Sequence, residues 1–237
     1  PTFRVNAAIT RIQDYYLIPD IDLEDIESIY DTAENIKNYQ KYYSFSDTIT
    51  NYYYLASSKS YLVQNKFYDF CSLKVLGAIL AMGVRFIELD LFNSGFGSNV
   101  PVVTNGETNG QWKLCINTLS LNDCCDIINQ YAFPKSSVTH SNNPLFLYLN
   151  CHSLRKETYS NTAQIIADNF NNRIVPFEQQ FCKADPSNVT LDLLKNKVVI
   201  LSNFGNKATV GEKFHQVVSF AQDGYIDSSK NWIDKPT

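Results

Sequence analysis

Residues 83–91 read Gly83-Val84-Arg85-Phe86-Ile87-Glu88-Leu89-Asp90-Leu91. From Phe86 onward this is a β-type run of branched and aromatic residues. Two carboxylates, Glu88 and Asp90, stand two positions apart in it, and the period of two puts both on one face of the strand. Two acids on an otherwise apolar strand cost desolvation and repel one another unless something pairs them. A divalent cation held by oxygen ligands would do so.

On either side of this strand the pattern alternates between helix and strand. Val63 to Met82 carries Leu73, Leu76, Ile79 and Leu80 on one helical face, and Gly83 ends it. Before it, Tyr52-Tyr53-Tyr54-Leu55-Ala56 reads as a strand with its tyrosines in the core. After the central strand come a Gly-rich loop, Asn93 to Asn99, and a short strand, Pro101 to Thr104. Leu119 to Phe133 is a helix capped near Ser120 or Asn122 and stopped by Pro134. Leu145–Leu149 and Val198–Leu201 are fully apolar strands, and Thr158 to Phe170 between them is a helix. Continuous apolar strands alternating with helices predict a parallel α/β sheet or barrel. Residues 1–50 form an acidic, Tyr-rich leader, with Leu23, Ile26, Ile29 and Tyr30 at helical spacing and Ile36 and Tyr39 extending it. There is no internal repeat.

Composition narrows the function classes. The chain has 237 residues, 44 % hydrophobic and 19 % charged, which is a folded globular balance. A net charge of −4 argues against an electrostatic grip on nucleic acid or on an anionic membrane. No apolar run approaches the roughly 20 residues of a membrane span, and no signal peptide is visible. Cys71, Cys115, Cys124, Cys125, Cys151 and Cys182 form no Cys-x-x-Cys pair, and with 3 His they give a zinc site little support. They read as buried free thiols in a reducing compartment. The sequon Asn188-Val189-Thr190 has nothing secretory beside it. The start at Pro1 without Met reads as processing or truncation. Recurrent Asn, Ile, Lys and Tyr suggest an A+T-rich genome.

Five blocks meet a known pattern. They are Ser57-Ser58-Lys59-Ser60-Tyr61-Leu62, Met82 to Asp90, Pro101-Val102-Val103-Thr104-Asn105-Gly106-Glu107-Thr108, Pro144 to Ser153 (Pro-Leu-Phe-Leu-Tyr-Leu-Asn-Cys-His-Ser), and Leu194-Lys195-Asn196-Lys197-Val198. In order and spacing, over about residues 52–203, they resemble the X region of the phosphoinositide-specific phospholipase C family. That family reads Ser-Ser-His-Asn-Thr-Tyr-Leu, then Glu-Leu-Asp after Gly-Cys-Arg, then Pro-Val-Ile-Tyr-His-Gly. Pro-Val-Ile-Leu-Ser-Leu-Glu-Asn-His-Cys-Ser and Leu-Lys-Gly-Lys follow. The resemblance implies an α/β fold, a (β/α) TIM-type barrel of which this chain supplies a partial or distorted X-region half. It also implies calcium-assisted acid/base cleavage of a phosphodiester, in which the inositol 2-hydroxyl attacks while two histidines and the metal handle protons and charge.

The departures fall on the chemistry. Ungapped, Ser58 stands where the family has its first histidine and Lys59 where it has an Asn ligand; with a one-residue deletion Lys59 covers both. Asn105 replaces the second histidine. Asn150 replaces a Glu ligand, so of the family's calcium ligands only Glu88 and Asp90 persist. The phosphate-binding lysines fall on Leu201 and Asn203. Read this way, Ser58, Lys59 and Asn105 are degenerate catalytic positions, and Glu88, Asp90, Asn150 and Lys59 are degenerate metal positions. No catalytic residue, metal or other cofactor is expected. Lys59 is expected to pair with Glu88 or Asp90 in place of calcium.

Other residues receive plainer readings. His152 is expected to bond backbone at a strand end, His140 and His215 to lie at the surface, and Arg85 to form a salt bridge below the barrel. Glu107 is a weaker candidate acid/base group. A full barrel takes about 250 residues, but only residues 204–237 follow the last recognised strand, with Val217–Phe220 as one further strand. A half-barrel leaves an open apolar side. The chain thus divides into a leader (1–50), an X-like domain (51–203) and a C-terminal extension (204–237). The leading expectation is an inactive relative that binds protein partners in a larger intracellular assembly, with a large DNA virus particle as one setting. A divergent calcium-dependent phosphodiesterase and a non-catalytic phosphoinositide binder at a membrane are the alternatives.

Overall fold

The computed structural model describes residues 46–63, 69–106, 115–134, 142–176 and 189–221. The expected leader helix, Glu107, His140, Cys182 and Asn188 of the sequon lie outside the described residues.

Seven strands make one sheet. They are β1 (Ala56–Ser57), β2 (Phe86–Asn93), β3 (Pro101–Val103), β4 (Leu119–Ser120), β5 (Leu145–Cys151), β6 (Val198–Ser202) and β7 (Phe220–Ala221). β1, β2, β5, β6 and β7 run parallel as successive neighbours, joined by helical crossovers. This is the winding of a (β/α) barrel, and among the described residues the sheet does not close. β3 pairs antiparallel with the upper end of β2, Leu91 facing Val103, and β4 continues outward from β3. One edge of β2 is thus shared by β1 below and β3 above. Between them Ser60 N donates to the Glu88 carbonyl (3.4 Å) and Thr104 N to the Asp90 carbonyl (3.2 Å).

The helices are α1 (Leu73–Ala81), α2 (Leu121–Ala132), α3 (Lys156–Phe170), α4 (Lys207–Val210) and α5 (Glu212–Val217). α1 packs on α2, α2 on α3 and α3 on α5. They cover the sheet face formed by Ile87, Leu89, Leu91, Leu145, Leu147, Leu149, Val198 and Ile200, all buried. The alternate residues face the barrel side in rows fixed by register: Phe86–Phe146–Val199, then Glu88–Tyr148–Leu201, then Asp90–Asn150. The lowest row is a second core, closed by Ile49 and Tyr54 from before β1 and by Val175, Val189 and Leu194 from before β6. Tyr54 meets Phe146 edge to face at 4.9 Å. Ile49, at the end of the leader, and the segments at 174–175 and 189–194 thus supply cover on the barrel side.

Caps and breakers behave as their chemistry requires. Ser120 accepts from Asn122 N at the start of α2, and Gly83, at φ 87°, releases the chain from α1. Several boundaries need correction. α1 begins at Leu73, capped by Ser72, and not at Val63, because Leu62 and Cys71 pair with each other and Asp69 pairs with Cys115. The strand expected at Tyr52–Ala56 begins at Ala56, and Tyr53 lies fully exposed. Leu119 belongs to β4, ahead of α2. The strand expected at Val217–Phe220 is the end of α5 followed by β7. Arg85 is 4 % exposed and donates through Nη1 to the Ala132 carbonyl at the end of α2 (2.6 Å).

Candidate functional site

The upper barrel-side rows gather the polar groups. Asp90 is at their centre, 2 % exposed. The Tyr61 hydroxyl donates to its Oδ2 (2.7 Å), with the Thr104 carbonyl also in reach at 2.9 Å. Asn150 Nδ2 donates to Oδ1 (2.7 Å), and His152 Nε2 sits 2.8 Å from the same oxygen. Burial pushes the Asp90 carboxyl up, but the hydrogen bonds of His152 and Tyr61 and the charges of His152 and Lys59 outweigh it. The net result lies below the ordinary carboxylate range. Tyr61 is driven the other way, first by burial and then by the Asp90 charge and hydrogen bond, so its phenol stays a proton donor.

Geometry explains why these groups meet. Asn150 lies opposite Asp90 across the β2–β5 ladder. His152 continues β5 by donating its N–H to the Leu91 carbonyl (2.9 Å). It therefore returns to the face of Asn150 and stacks its ring on Phe92 with centroids 4.3 Å apart. The expected backbone partner for the His152 side chain is corrected accordingly: its ring reaches the Asp90 carboxylate. His215, expected at the surface, is half-buried with Nδ1 2.9 Å from the Gly205 carbonyl.

Glu88, one row lower, accepts from the Ser58 hydroxyl (2.5 Å). Lys59 does not pair with either acid, contrary to expectation. Its backbone sits at φ 47°, and Nζ donates to Asn105 Oδ1 (2.7 Å). Asn105 in turn donates to Asp69 Oδ2 (3.2 Å). Asn203 bonds both backbone groups of Cys151, at 2.8 and 2.9 Å, and Leu201 packs against the second core. Among the described residues no three His, Cys, Asp or Glu converge as metal ligands, and no helix is long and apolar enough to cross a membrane.

The family model for the phosphatidylinositol-specific phospholipase C X domain matches residues 45–204, more than half of the sequence. The chain belongs to this family. Its solved relatives include PLC21 from L. pealei, at 20 % identity and TM-score 0.54, over 67 % of this chain and 19 % of that one. PLC21 from S. officinalis gives 18 % and 0.57, over 74 % and 24 %. The match thus spans only 19–24 % of those proteins, and at such identity the likeness establishes the fold alone. The phosphatidylinositol-specific phospholipase C from Listeria monocytogenes matches at 16 % identity and TM-score 0.47, over 70 % of this chain and 56 % of that one. No curated protein matches the chain.

Sequence reasoning brought Ser58, Lys59, Glu88, Asp90, Asn105 and Asn150 to this X domain's site, and all six do lie around it. It missed Tyr61, His152, Asp69 and Thr104 as partners. One signal was available: His152 follows Asn150 by two, so the strand period already places it on the face of Asp90. The contacts of Asp69 and Thr104 depend on loop pairing that no local pattern encodes.

Proposed function

We propose that this X domain is a catalytically inactive member of its family that serves as a structural or interaction module in a larger assembly. The observation that carries the reading is that the substituted positions are engaged with one another or with the surviving acids. Lys59 is held by Asn105, Ser58 holds Glu88, and Asn150 donates to Asp90. A working site would leave such groups aimed at a substrate. Calcium fits this set poorly. It takes about 6–8 oxygen ligands, whereas Asn150 turns its amide N–H₂ toward Asp90 and the Lys59 ammonium adds positive charge near the same carboxylate. With Asn203 tied to Cys151 and Leu201 in the second core, the positions of the family's phosphate-reading lysines offer no cation, which weighs against a phosphoinositide-binding role. An intracellular setting, a virus particle among them, rests on the thiols, the composition and the lost chemistry.

The test is turnover of phosphatidylinositol vesicles by the full chain with and without calcium. We expect no inositol phosphate above the protein-free rate, and calcium-dependent release abolished by Glu88→Ala would overturn the proposal. Calcium should leave the melting temperature unchanged, because binding to the native state requires a concentration-dependent rise. A second reading, a divergent phosphodiesterase, is favoured by one contact: the Asp90–His152 pair is the kind of dyad that moves protons. Turnover lost in His152→Ala but retained in Glu88→Ala would select it.

A further inference from the structure

Outside the Asp90 cluster, Cys71 and Cys115 stand diagonally across two short stretches, 69–71 and 115–117, that run side by side. Asp69 and Cys115 are partners in a parallel bridge, and Ile116 N donates to the Asp69 carbonyl (3.1 Å). Two residues on, Asn117 clamps Cys71 from both sides: its Oδ1 accepts from Cys71 N (2.7 Å) and its Nδ2 donates to the Cys71 carbonyl (2.8 Å). The strand period puts Asp69 and Cys71 on one face and Cys115 and Asn117 beside them on the same face. Cys71 Sγ lies 3.6 Å from the Asn117 carbonyl and 3.8 Å from Thr104 Oγ1. Cys71 is 1 % exposed and Cys115 half-buried, and both thiols are free.

We propose that Cys71 and Cys115 are a reversible dithiol–disulfide pair whose oxidation staples residues 115–117 to residues 69–71, beside Thr104 of the site.

Cys115 is the attacking sulfur. It is the more accessible of the two, and the neighbouring Cys71 thiol pulls it below the ordinary thiol range while Cys71 itself is pushed up. A thiolate with a pKa near ambient pH is the effective nucleophile in exchange. The oxidant class is a small-molecule disulfide such as oxidised glutathione. The Cys115 thiolate attacks one of its sulfurs, forming a mixed disulfide and expelling one glutathione thiolate. Cys71 gives up its proton and attacks Cys115 Sγ, expelling the second glutathione. Two protein thiols are oxidised, one glutathione disulfide is reduced to two thiols, and the two protons end on those thiols. Bond formation needs the sulfurs to close to about 2.05 Å, so the Cys71 side chain must leave Thr104 and the Asn117 carbonyl and turn to Cys115.

The experiment equilibrates the native full chain in glutathione buffers of rising oxidised fraction, quenches it by alkylation and maps the peptides by mass spectrometry. We expect a peptide pair linked through Cys71 and Cys115, a melting temperature raised by several degrees, and complete reversal by dithiothreitol. Cys71→Ser should trap glutathione on Cys115, and Cys115→Ser should abolish both linkage and glutathione uptake at this site. Circular dichroism of each variant confirms that it is folded, and the wild-type linkage alone decides should a variant unfold. A wild-type Cys115 that stays reduced, stays capped by glutathione, or joins another cysteine overturns the proposal.

Discussion

Asp90 holds three side-chain donors with two oxygens in a site closed to water. Each donor left without its acceptor costs about 1–3 kcal/mol when buried. Tyr61→Phe removes one donor and leaves the ring packing intact, so we expect a loss of about 1–2 kcal/mol near neutral pH. The pH dependence has a definite sign. Asp90 titrates lower in the folded chain than unfolded, so its contribution is present above about pH 4 and is lost as pH falls through the lower folded value. The gap between wild type and Tyr61→Phe should therefore narrow on acidification. Urea melts at pH 7 and near pH 3 measure it, and a gap that does not change with pH would refute the role of the charge. At this scale the sequence was legible where the strand period decides: it set Glu88 and Asp90 on one face, while Asn150 came only from the family resemblance. It was silent where a backbone torsion decides. Lys59 lies at φ 47°, a region that suits Asn or Gly better than Lys, and its ammonium bonds Asn105 and makes no salt bridge with the acids.

β6 and β7 meet through a close approach at Gly205. A Cβ at that position would lie 2.2 Å from Ala221 Cβ, an atom fixed directly to the β7 backbone. Gly205→Ala must then displace β7 or the turn after β6, at a cost of about 1–3 kcal/mol. Ala221→Gly in the same chain should restore most of it. Chemical denaturation of the single and double variants checks this, and two simply additive losses would show that the two atoms do not collide. Elements with a local signal were readable in advance: Ser120 and Gly83 mark helix ends, and the apolar runs at 145 and 198 mark buried parallel strands. The boundary at 63–72 was not, because apolar residues at helical spacing continue back from Leu73. Pairings to Leu62 and Cys115, distant in sequence, took that backbone instead.

Both cores are built from the same strands. β2, β5 and β6 send alternate residues to the helix side and to the barrel side, so neither layer can melt while the other stays packed. We expect one cooperative transition, with backbone and tyrosine signals coincident; separated midpoints would contradict it. If partners complete the barrel side, the isolated full chain should associate or precipitate on its own. A soluble monomer with a sharp melt would remove the physical support for an assembly role. The contact between Asn150 and Asp90 bears, finally, on how a cation site could be built here. Placing Glu at 150 would set two carboxylates against each other where an amide now donates at 2.7 Å. The Lys59 ammonium, held by Asn105, makes no salt bridge with either, so its charge offsets only part of that repulsion. The single substitution Asn150→Glu should thus cost about 1–3 kcal/mol. It should recover only when Lys59 is replaced by Asn as well and calcium is supplied. Rebuilding a cation site here is therefore a concerted change, because the first single step costs stability before any metal can offset it.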